Sequence, residues 1–286
     1  MTRAVMALLL AASVPILAAA QGRGAPAPRS PKDAAPIDLS GNWVSLVTED
    51  WRWRMVTPLK GDSASVPINQ AAKKIVNAWD PAKDEAAGLQ CKSYGAPAIM
   101  RVPGRLRITW QDDTTLKIET DAGMQTRLLH FGPSTLRQVQ GRPELSRGAT
   151  GSGPSRAESR DDGKPPAGEA PSWQGYSLAK WEEPPPIPNG LPIGLGPRQG
   201  LRSRSLEVKT TNLRAGYLRK NGVPYSARTT VTEYFERFSE PNGDEHLMVM
   251  TIVTDPEYLA VPFVTTSDFK KEADGSKWDP SPCTAR

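Results

Sequence analysis

Tryptophan and arginine alternate in one short segment of the chain, Trp51-Arg52-Trp53-Arg54. In an extended segment, successive side chains point to opposite faces, so this order predicts two indoles on one face and two guanidiniums on the other. Aromatic faces beside a cation suit a flat, apolar or anionic molecule, or the face of a sugar. The segment is therefore our first candidate for a ligand-binding surface.

A cavity that holds a ligand needs more walls than this segment supplies. The chain has 8 tryptophans, and several of them fall on predicted strands. We expect the cavity to be lined by Trp43, Trp51, Trp53, Arg54 and Trp110. Around a predicted turn at Asn221-Gly222, Tyr217, Arg219, Lys220 and Tyr225 form either part of its rim or a solvated hairpin tip. Two interpretations remain open, because the same aromatic residues could instead fill a core.

Two carboxylates, Glu233 and Glu245, fall on the two strands of one predicted hairpin. Paired carboxylates can perform acid-base chemistry on glycosides, so these residues are candidates for catalysis. Against this, polar side chains on the strands of a barrel face solvent by default. An enzyme is therefore the alternative, and whether the protein catalyses a reaction stays open.

The remaining chemistry-bearing residues lack the spacings of known sites. His130 and His246 are far apart in sequence and belong to no His-x-His or His-Glu-x-x-His pattern. There is no Gly-x-Ser-x-Gly elbow of an esterase, and the stretch from Gly148 to Gly153 does not fit a phosphate-binding loop. We predict no metal and no cofactor.

The first 20 residues have the order of a secretory signal peptide. A positive start at Met1–Arg3 precedes an apolar run, Ala4–Ala20, with small residues at its end. A membrane-spanning helix needs about 20 apolar residues, whereas this run is shorter and contains Pro15. We predict that residues 1–20 are removed, that the mature protein is periplasmic or secreted, and that it makes no stable membrane insertion.

A location outside the cytoplasm affects how the charge and the cysteines are interpreted. The formal net charge is +5, but the basic residues are scattered and match no nucleic-acid-binding motif, so we expect no nucleic-acid partner. Cys91 and Cys283 form an even set in a compartment where disulfides persist. We predict that they are joined, which would tie the C-terminal tail to the region after the first helix.

Composition divides the chain into one folded domain with unstructured additions. Residues 21–36 are rich in Ala, Pro and Gly and predict a disordered leader, and residues 37–286 form a single domain. Two insertions in that domain, 141–172 and 182–200, are predicted to be disordered because they are poor in large apolar residues or rich in proline. The second insertion is either an extended spacer or a proline-rich ligand for another protein.

Alternation of apolar and polar residues dominates the folded region and predicts about nine strands in sequential order. Residues 69–79 have helical spacing instead, so one short helix is expected. The predicted strands lie within residues 38–47, 104–131, 173–181, 205–213, 214–225, 228–238, 246–254 and 263–271. The predicted fold class is all-β with one short helix, an antiparallel meander that closes into a lipocalin-like barrel.

The opening strand, Asp38-Leu-Ser-Gly-Asn-Trp43, resembles that of lipocalins and their wider relatives. The resemblance implies an eight-stranded barrel with the indole of its Gly-x-Trp across the closed end. The segment Thr254-Asp255-Pro256-Glu257-Tyr258 is a loose counterpart of the second motif of that family.

More of the chain resembles a group of secreted bacterial β-rich proteins of unknown function. The residues that carry this resemblance are Gly175-Tyr176-Ser177, Trp181, Leu206-Glu207-Val208, Val231-Thr232-Glu233, Arg237-Phe238, Thr251 to Pro256 and Pro262-Phe263. The resemblance implies a bacterial periplasmic source and offers no catalytic residue.

These observations favour a binding protein outside the cytoplasm. The first hypothesis is a barrel whose cavity takes a small hydrophobic, aromatic or saccharide ligand. The second is a hydrolase or isomerase that acts on an envelope or plant-derived compound through Glu233 or Glu245. The third is an envelope scaffold that binds a protein through residues 182–200. The sequence leaves the oligomeric state open.

Overall fold

The computed structural model describes residues 29–132, 165–182 and 205–286. Within these ranges the chain is mostly β, and nine of its strands form a closed barrel. The predicted all-β barrel is therefore confirmed. The signal segment at 1–20, most of the insertion at 141–172 and nearly all of the one at 182–200 lie outside the described residues.

The described part of the chain has eleven strands and five short helices. The strands are β1 (Gly41–Leu46), β2 (Arg105–Trp110), β3 (Thr115–Thr120), β4 (Thr126–Phe131), β5 (Tyr176–Trp181), β6 (Ser205–Thr211), β7 (Gly216–Arg219), β8 (Val223–Tyr225), β9 (Thr230–Ser239), β10 (Glu245–Thr254) and β11 (Phe263–Glu272). The helices are α1 (Trp51–Arg54), α2 (Gln70–Ala78), α3 (Pro81–Ala86), a 3-10 helix (Gln90–Tyr94) and α4 (Ala96–Ile99).

Around the barrel the strands follow the order β1-β11-β10-β9-β6-β5-β4-β3-β2, and β1 closes the ring by pairing with β2. Neighbouring strands are antiparallel except β4 and β5, which run parallel with Leu129 opposite Ser177. A closed ring of nine strands cannot alternate in direction all the way round, so at least one parallel pair is required. The meander that we predicted is thus antiparallel in all but one pairing.

Inward-facing side chains from all nine strands fill the barrel. The buried set is Trp43, Leu106, Ile108, Leu116, Ile118, Leu129, Phe131, Ala179, Leu206, Val208, Phe235, Leu247, Val249 and Phe269. Each of these side chains is at most 6% exposed, as expected where one face of every strand packs on a common core. Among the described residues, these side chains pack together as one core in the barrel interior.

Helices and a small hairpin cover one end of the barrel, where β9 and β11 begin and β10 ends; we call it the capped end. A second apolar cluster lies there and joins α2, α4 and the hairpin β7-β8 to the strand ends. Its buried members include Val76 of α2, Ala96 of α4, Leu218 of β7 and Tyr225 of β8. The cap holds residues from distant parts of the chain in one place.

The predicted helix at 69–79 is confirmed as α2, which begins after Asn69, whose side chain accepts a hydrogen bond from the amide of Ala72. The other helices have four to six residues, too few to show a helical period in the sequence. Pro81 occupies the first turn of α3, where the missing N–H costs nothing.

A disulfide joins Cys91 to Cys283, as the cysteine count predicted, with 5.1 Å between the Cα atoms. It links the 3-10 helix to the C-terminal tail. The described end of the predicted leader contacts the barrel as well, because Trp181 Nε1 donates a hydrogen bond of 3.0 Å to the carbonyl of Pro31. No helix within the described ranges has the length and apolar character to cross a membrane.

Candidate functional site

A cavity of about 410 Å³ lies at the capped end, outside the barrel core. Its walls come from α1 and the residues after it, the 3-10 helix, the loop that precedes β2, the hairpin β7-β8 and the C-terminal tail. The residues with the largest or most polar side chains in these walls are Trp53, Arg54, Tyr94, Arg101, Arg219 and Lys220. Elements distant in sequence therefore build one concave site of the size that small molecules occupy.

The short helix α1 places Trp53 and Arg54 in the cavity wall. It follows Asp50, whose backbone is left-handed with a φ of 52°. Arg54 Nε donates a hydrogen bond of 2.9 Å to the carbonyl of Arg101, and Arg101 Nη2 donates one of 2.7 Å to Asp50 Oδ2. These contacts tie α1 to the loop before β2. The prediction of an extended segment here is wrong.

Arg219 ends β7 and is 5% exposed. Its three guanidinium nitrogens are shielded from solvent and have no hydrogen-bond partner among the described residues. The guanidinium carbon lies 5.0 Å from the centre of the Trp53 ring, which is a cation-π contact. A buried arginine normally has an anionic or hydrogen-bonding partner, so Arg219 is the unusual residue of this site.

The cavity is strongly cationic. Its lining has four basic residues, Arg54, Arg101, Arg219 and Lys220, and none of the described lining residues is acidic. Burial, followed by the charge of Arg101, lowers the pKa of Arg219 to about 10. Burial and the same neighbour also lower the pKa of Arg54. Arg101 is paired with Asp50, whereas Arg54 and Arg219 form no salt bridge with a described carboxylate.

The C-terminal tail forms another wall of the cavity, with Ser281, Pro282 and Thr284 in its lining. Tyr94 Oη and Thr284 Oγ1 are 3.2 Å apart, and Lys220 Nζ donates a hydrogen bond of 3.4 Å to Thr284 Oγ1. Burial raises the pKa of Tyr94, but hydrogen bonds with Lys220 and Thr284 and the charge of Lys220 lower it by more. The disulfide at Cys283 fixes this wall beside the 3-10 helix.

Of the predicted ligand-binding aromatic residues, the structure brings only Trp53 into this cavity, together with Arg54. Trp51 is 65% exposed on the outer side of α1. Trp43 is fully buried in the barrel, where its Nε1 donates to the carbonyl of Leu39, and Trp110 stacks on Phe131 with ring centres 5.5 Å apart. The predicted common cavity of these tryptophans is therefore wrong, because two of them pack in the core.

The rim predicted around Asn221-Gly222 is present in part. Arg219 and Lys220 line the cavity, whereas Tyr217 donates a hydrogen bond of 2.9 Å to Asp84 and lies outside the lining. Tyr225 is fully buried in the second apolar cluster, where burial raises the pKa of its hydroxyl. The two tyrosines act in packing and not in the cavity wall.

Glu233 faces the barrel interior and is fully buried, contrary to the outward orientation expected of a polar strand residue. Arg127 explains this, since its Nη1 and Nη2 donate hydrogen bonds of 3.1 and 2.6 Å to the two carboxylate oxygens. Thr210 accepts a further bond of 3.2 Å from Arg127 and is 2.8 Å from the hydroxyl of Ser177. Glu233 thus belongs to a buried ion pair between β4 and β9.

Glu245 lies far from Glu233. Thr251 is the residue opposite Glu233, and Glu245 precedes Thr251 by six positions, about 20 Å along β10. Glu245 instead accepts a hydrogen bond from Arg237 and contacts Ser239 at the end of the barrel opposite the capped end. Carboxylates that cleave glycosides are about 5 to 9.5 Å apart, so Glu233 and Glu245 do not form such a pair.

One group of described residues places metal-binding side chains together. Ligand atoms of Glu240, Asp244 and His246 lie within 4.8 Å of one another at the turn between β9 and β10. However, Lys270 Nζ already donates a hydrogen bond of 2.7 Å to Asp244, and this ammonium group would repel a metal cation. His130 lies elsewhere and stacks on Tyr176.

Sequence reasoning missed the contributions of Tyr94 and Arg101 to the site. Neither residue stands in a motif, and both reach the cavity through the packing of the cap. The arginine-tryptophan alternation was a usable signal, since it identified Trp53 and Arg54. Comparisons with protein families, with curated proteins and with solved structures give no match to this chain.

Proposed function

We propose that this protein is a periplasmic or secreted binding protein for a hydrophobic or aromatic small molecule, and that the ligand occupies the cavity at the capped end. The observation that carries the proposal is the cavity itself, about 410 Å³ in volume, beside a barrel whose interior is filled. Sites for small molecules are concave, mostly apolar and about 300 to 1,000 Å³ in volume.

The composition of the cavity wall supports an apolar or aromatic ligand. Trp53 offers an indole ring, and Tyr94, Leu218, Val102 and Ala98 contribute further apolar atoms to the lining. A ring that enters the cavity would bury apolar area against these side chains and stack on an indole. The disulfide supports a location where cysteines are oxidised.

A titration of tryptophan fluorescence tests the proposal, with panels of aromatic compounds, fatty acids and saccharides. We expect at least one class to give a saturable response. Trp53→Ala should weaken binding about tenfold or more, because it removes the aromatic wall of the cavity. Trp51→Ala is the matched control, since Trp51 lies on the same helix but is 65% exposed and outside the cavity.

The proposal predicts a lower ligand affinity for Trp53→Ala than for Trp51→Ala. Equal affinities of the Trp51 and Trp53 variants would place the ligand elsewhere. Failure of every class to bind, checked by calorimetry, would reject the binding function altogether.

A further inference from the structure

The ligand-binding proposal leaves the charge of the ligand open, and Arg219 bears on that point. Its Nε, Nη1 and Nη2 make no hydrogen bond with any described residue, although the side chain is 5% exposed. The free energy of burying a guanidinium is unfavourable unless hydrogen bonds or a counter-charge compensate. The unpartnered guanidinium lies in the wall of a cavity, where a ligand can provide the missing hydrogen-bond partner.

The neighbouring groups do not neutralise Arg219. The charges of Asp50 and Asp62 raise the pKa of Arg219, but neither carboxylate makes a hydrogen bond with it. Asp50 is already bound to Arg101 at 2.7 Å. Arg54 adds another unused donor, because its Nη2 is buried without a partner among the described residues. The wall therefore has donors from two arginines and no acceptor from a described acidic residue.

We propose that the ligand carries a carboxylate, which Arg219 binds through hydrogen bonds, attached to an apolar or aromatic body that packs against Trp53. This inference rests on the function proposed above and specifies its ligand class. A carboxylate matches the fork of a guanidinium in geometry and charge. The aliphatic and aromatic surface of the rest of the cavity favours an apolar acid over a free inorganic anion.

Trp53 has two roles in this arrangement. Its indole covers the guanidinium of Arg219 at 5.0 Å and shields it from solvent when no ligand is bound. The ligand carboxylate would reach Arg219 beside this ring, which then packs on the ligand.

Calorimetric titration with three probes that share a naphthalene ring tests the charge of the ligand: naphthoate, its neutral amide naphthamide, and naphthyl phosphate. We expect naphthoate to bind about ten- to a hundredfold more tightly than naphthamide, because charge-assisted hydrogen bonds to a desolvated guanidinium are strong. Naphthyl phosphate should bind more weakly than naphthoate. The reverse order would assign the site to phosphate esters and overturn the carboxylate.

Arg219→Gln should reduce the affinity for naphthoate to that for naphthamide and leave the affinity for naphthamide unchanged. Arg214→Gln is the matched control, because Arg214 precedes the same hairpin, is exposed and stacks on Trp173 outside the cavity.

A stability measurement adds a second readout. Without ligand, Arg219→Met should raise the unfolding temperature, because it removes an unpaired buried charge. If Arg219 instead stabilised the fold, the same substitution would lower the unfolding temperature.

The outcomes separate the two proposals. If all three probes bind with equal affinity and Arg219→Gln changes none of them, the carboxylate is rejected and the binding function stands. If no probe and no compound of the fluorescence panels binds, both proposals fail.

Discussion

Arg127 and Arg219 are both buried, but their surroundings differ. Arg127 has a bidentate partner in Glu233 inside the barrel, whereas Arg219 has no hydrogen-bond partner among the residues that the structure describes. A buried ion pair often contributes little net stability, yet the loss of one member leaves an uncompensated charge. The first arginine therefore serves the fold, and the second is available for a ligand.

The ion pair leads to a prediction about stability. Arg127→Met should lower the free energy of unfolding by about 3–5 kcal/mol, because Glu233 would be left in the core without its partner. The double variant Arg127→Met/Glu233→Leu should recover most of this loss, since no unpaired charge remains. Urea unfolding of the single and double variants measures the coupling.

The control is an exposed pair. Lys180 and Glu207 form a salt bridge of 2.9 Å on the barrel surface, and Lys180→Met should cost at most about 1 kcal/mol. If the effects of the two core substitutions simply add, the pair does not act as we infer.

At the scale of elements, Asp255 links the end of β10 to the turn between β8 and β9. Its carboxylate accepts hydrogen bonds from the amide and hydroxyl of Ser226, from the hydroxyl of Thr229 and from the amide of Glu257. Burial raises the pKa of Asp255, but these hydrogen bonds lower it by more, so the folded value lies below the ordinary one. The charged form therefore stabilises the cap.

The lowered pKa of Asp255 predicts how stability depends on pH. Its contribution is complete above the pKa of the unfolded chain, about 3.9, and is lost as the pH falls through the lower folded value. Asp255→Asn should reduce the free energy of unfolding by about 2–3 kcal/mol at neutral pH, and the difference from the original protein should shrink in acid. Urea unfolding at pH 7 and pH 3 measures both.

Asp112 provides the comparison for Asp255, because it is exposed and its carboxylate bonds only within its own turn. Asp112→Asn should have little effect on unfolding. A difference between Asp255→Asn and the original protein that stays constant with pH would show that the charge of Asp255 is not what stabilises the cap.

The elements that repeat a simple pattern could be predicted from the sequence. Alternating apolar residues and the Pro241-Asn242-Gly243-Asp244 turn predicted the hairpin of β9 and β10, and helical spacing predicted α2. The inward orientation of Glu233 could not be predicted, because its partner Arg127 lies 106 residues away. The partnerless state of Arg219 likewise depends on three-dimensional packing and leaves no local pattern.

At the scale of the whole molecule, the disulfide joins residues 192 positions apart and holds a wall of the cavity. In the chain-entropy treatment, a link that closes so long a loop contributes about 5 kcal/mol to the free energy of unfolding. Cys91→Ser/Cys283→Ser should lose a large part of this stability in urea. The variant should also bind naphthoate more weakly, because the tail is less firmly held beside Tyr94.

Reduction of the original protein is the second arm of this experiment. It should reproduce the effects of the double substitution, and reductant should leave the double variant unchanged. Equal unfolding midpoints for the oxidised protein and the variant would show that the other contacts of the tail are sufficient.

The single parallel pairing makes the connections before and after β5 unequal. The strands β5 and β6 are antiparallel neighbours, so the chain between them could in principle be replaced by a tight turn. In contrast, β4 and β5 run in the same direction, and the chain between them must return to the end where β4 began, which takes about a dozen residues or more. The strand geometry therefore sets no long minimum length for the connection after β5, whereas the odd strand number sets one for the connection before it.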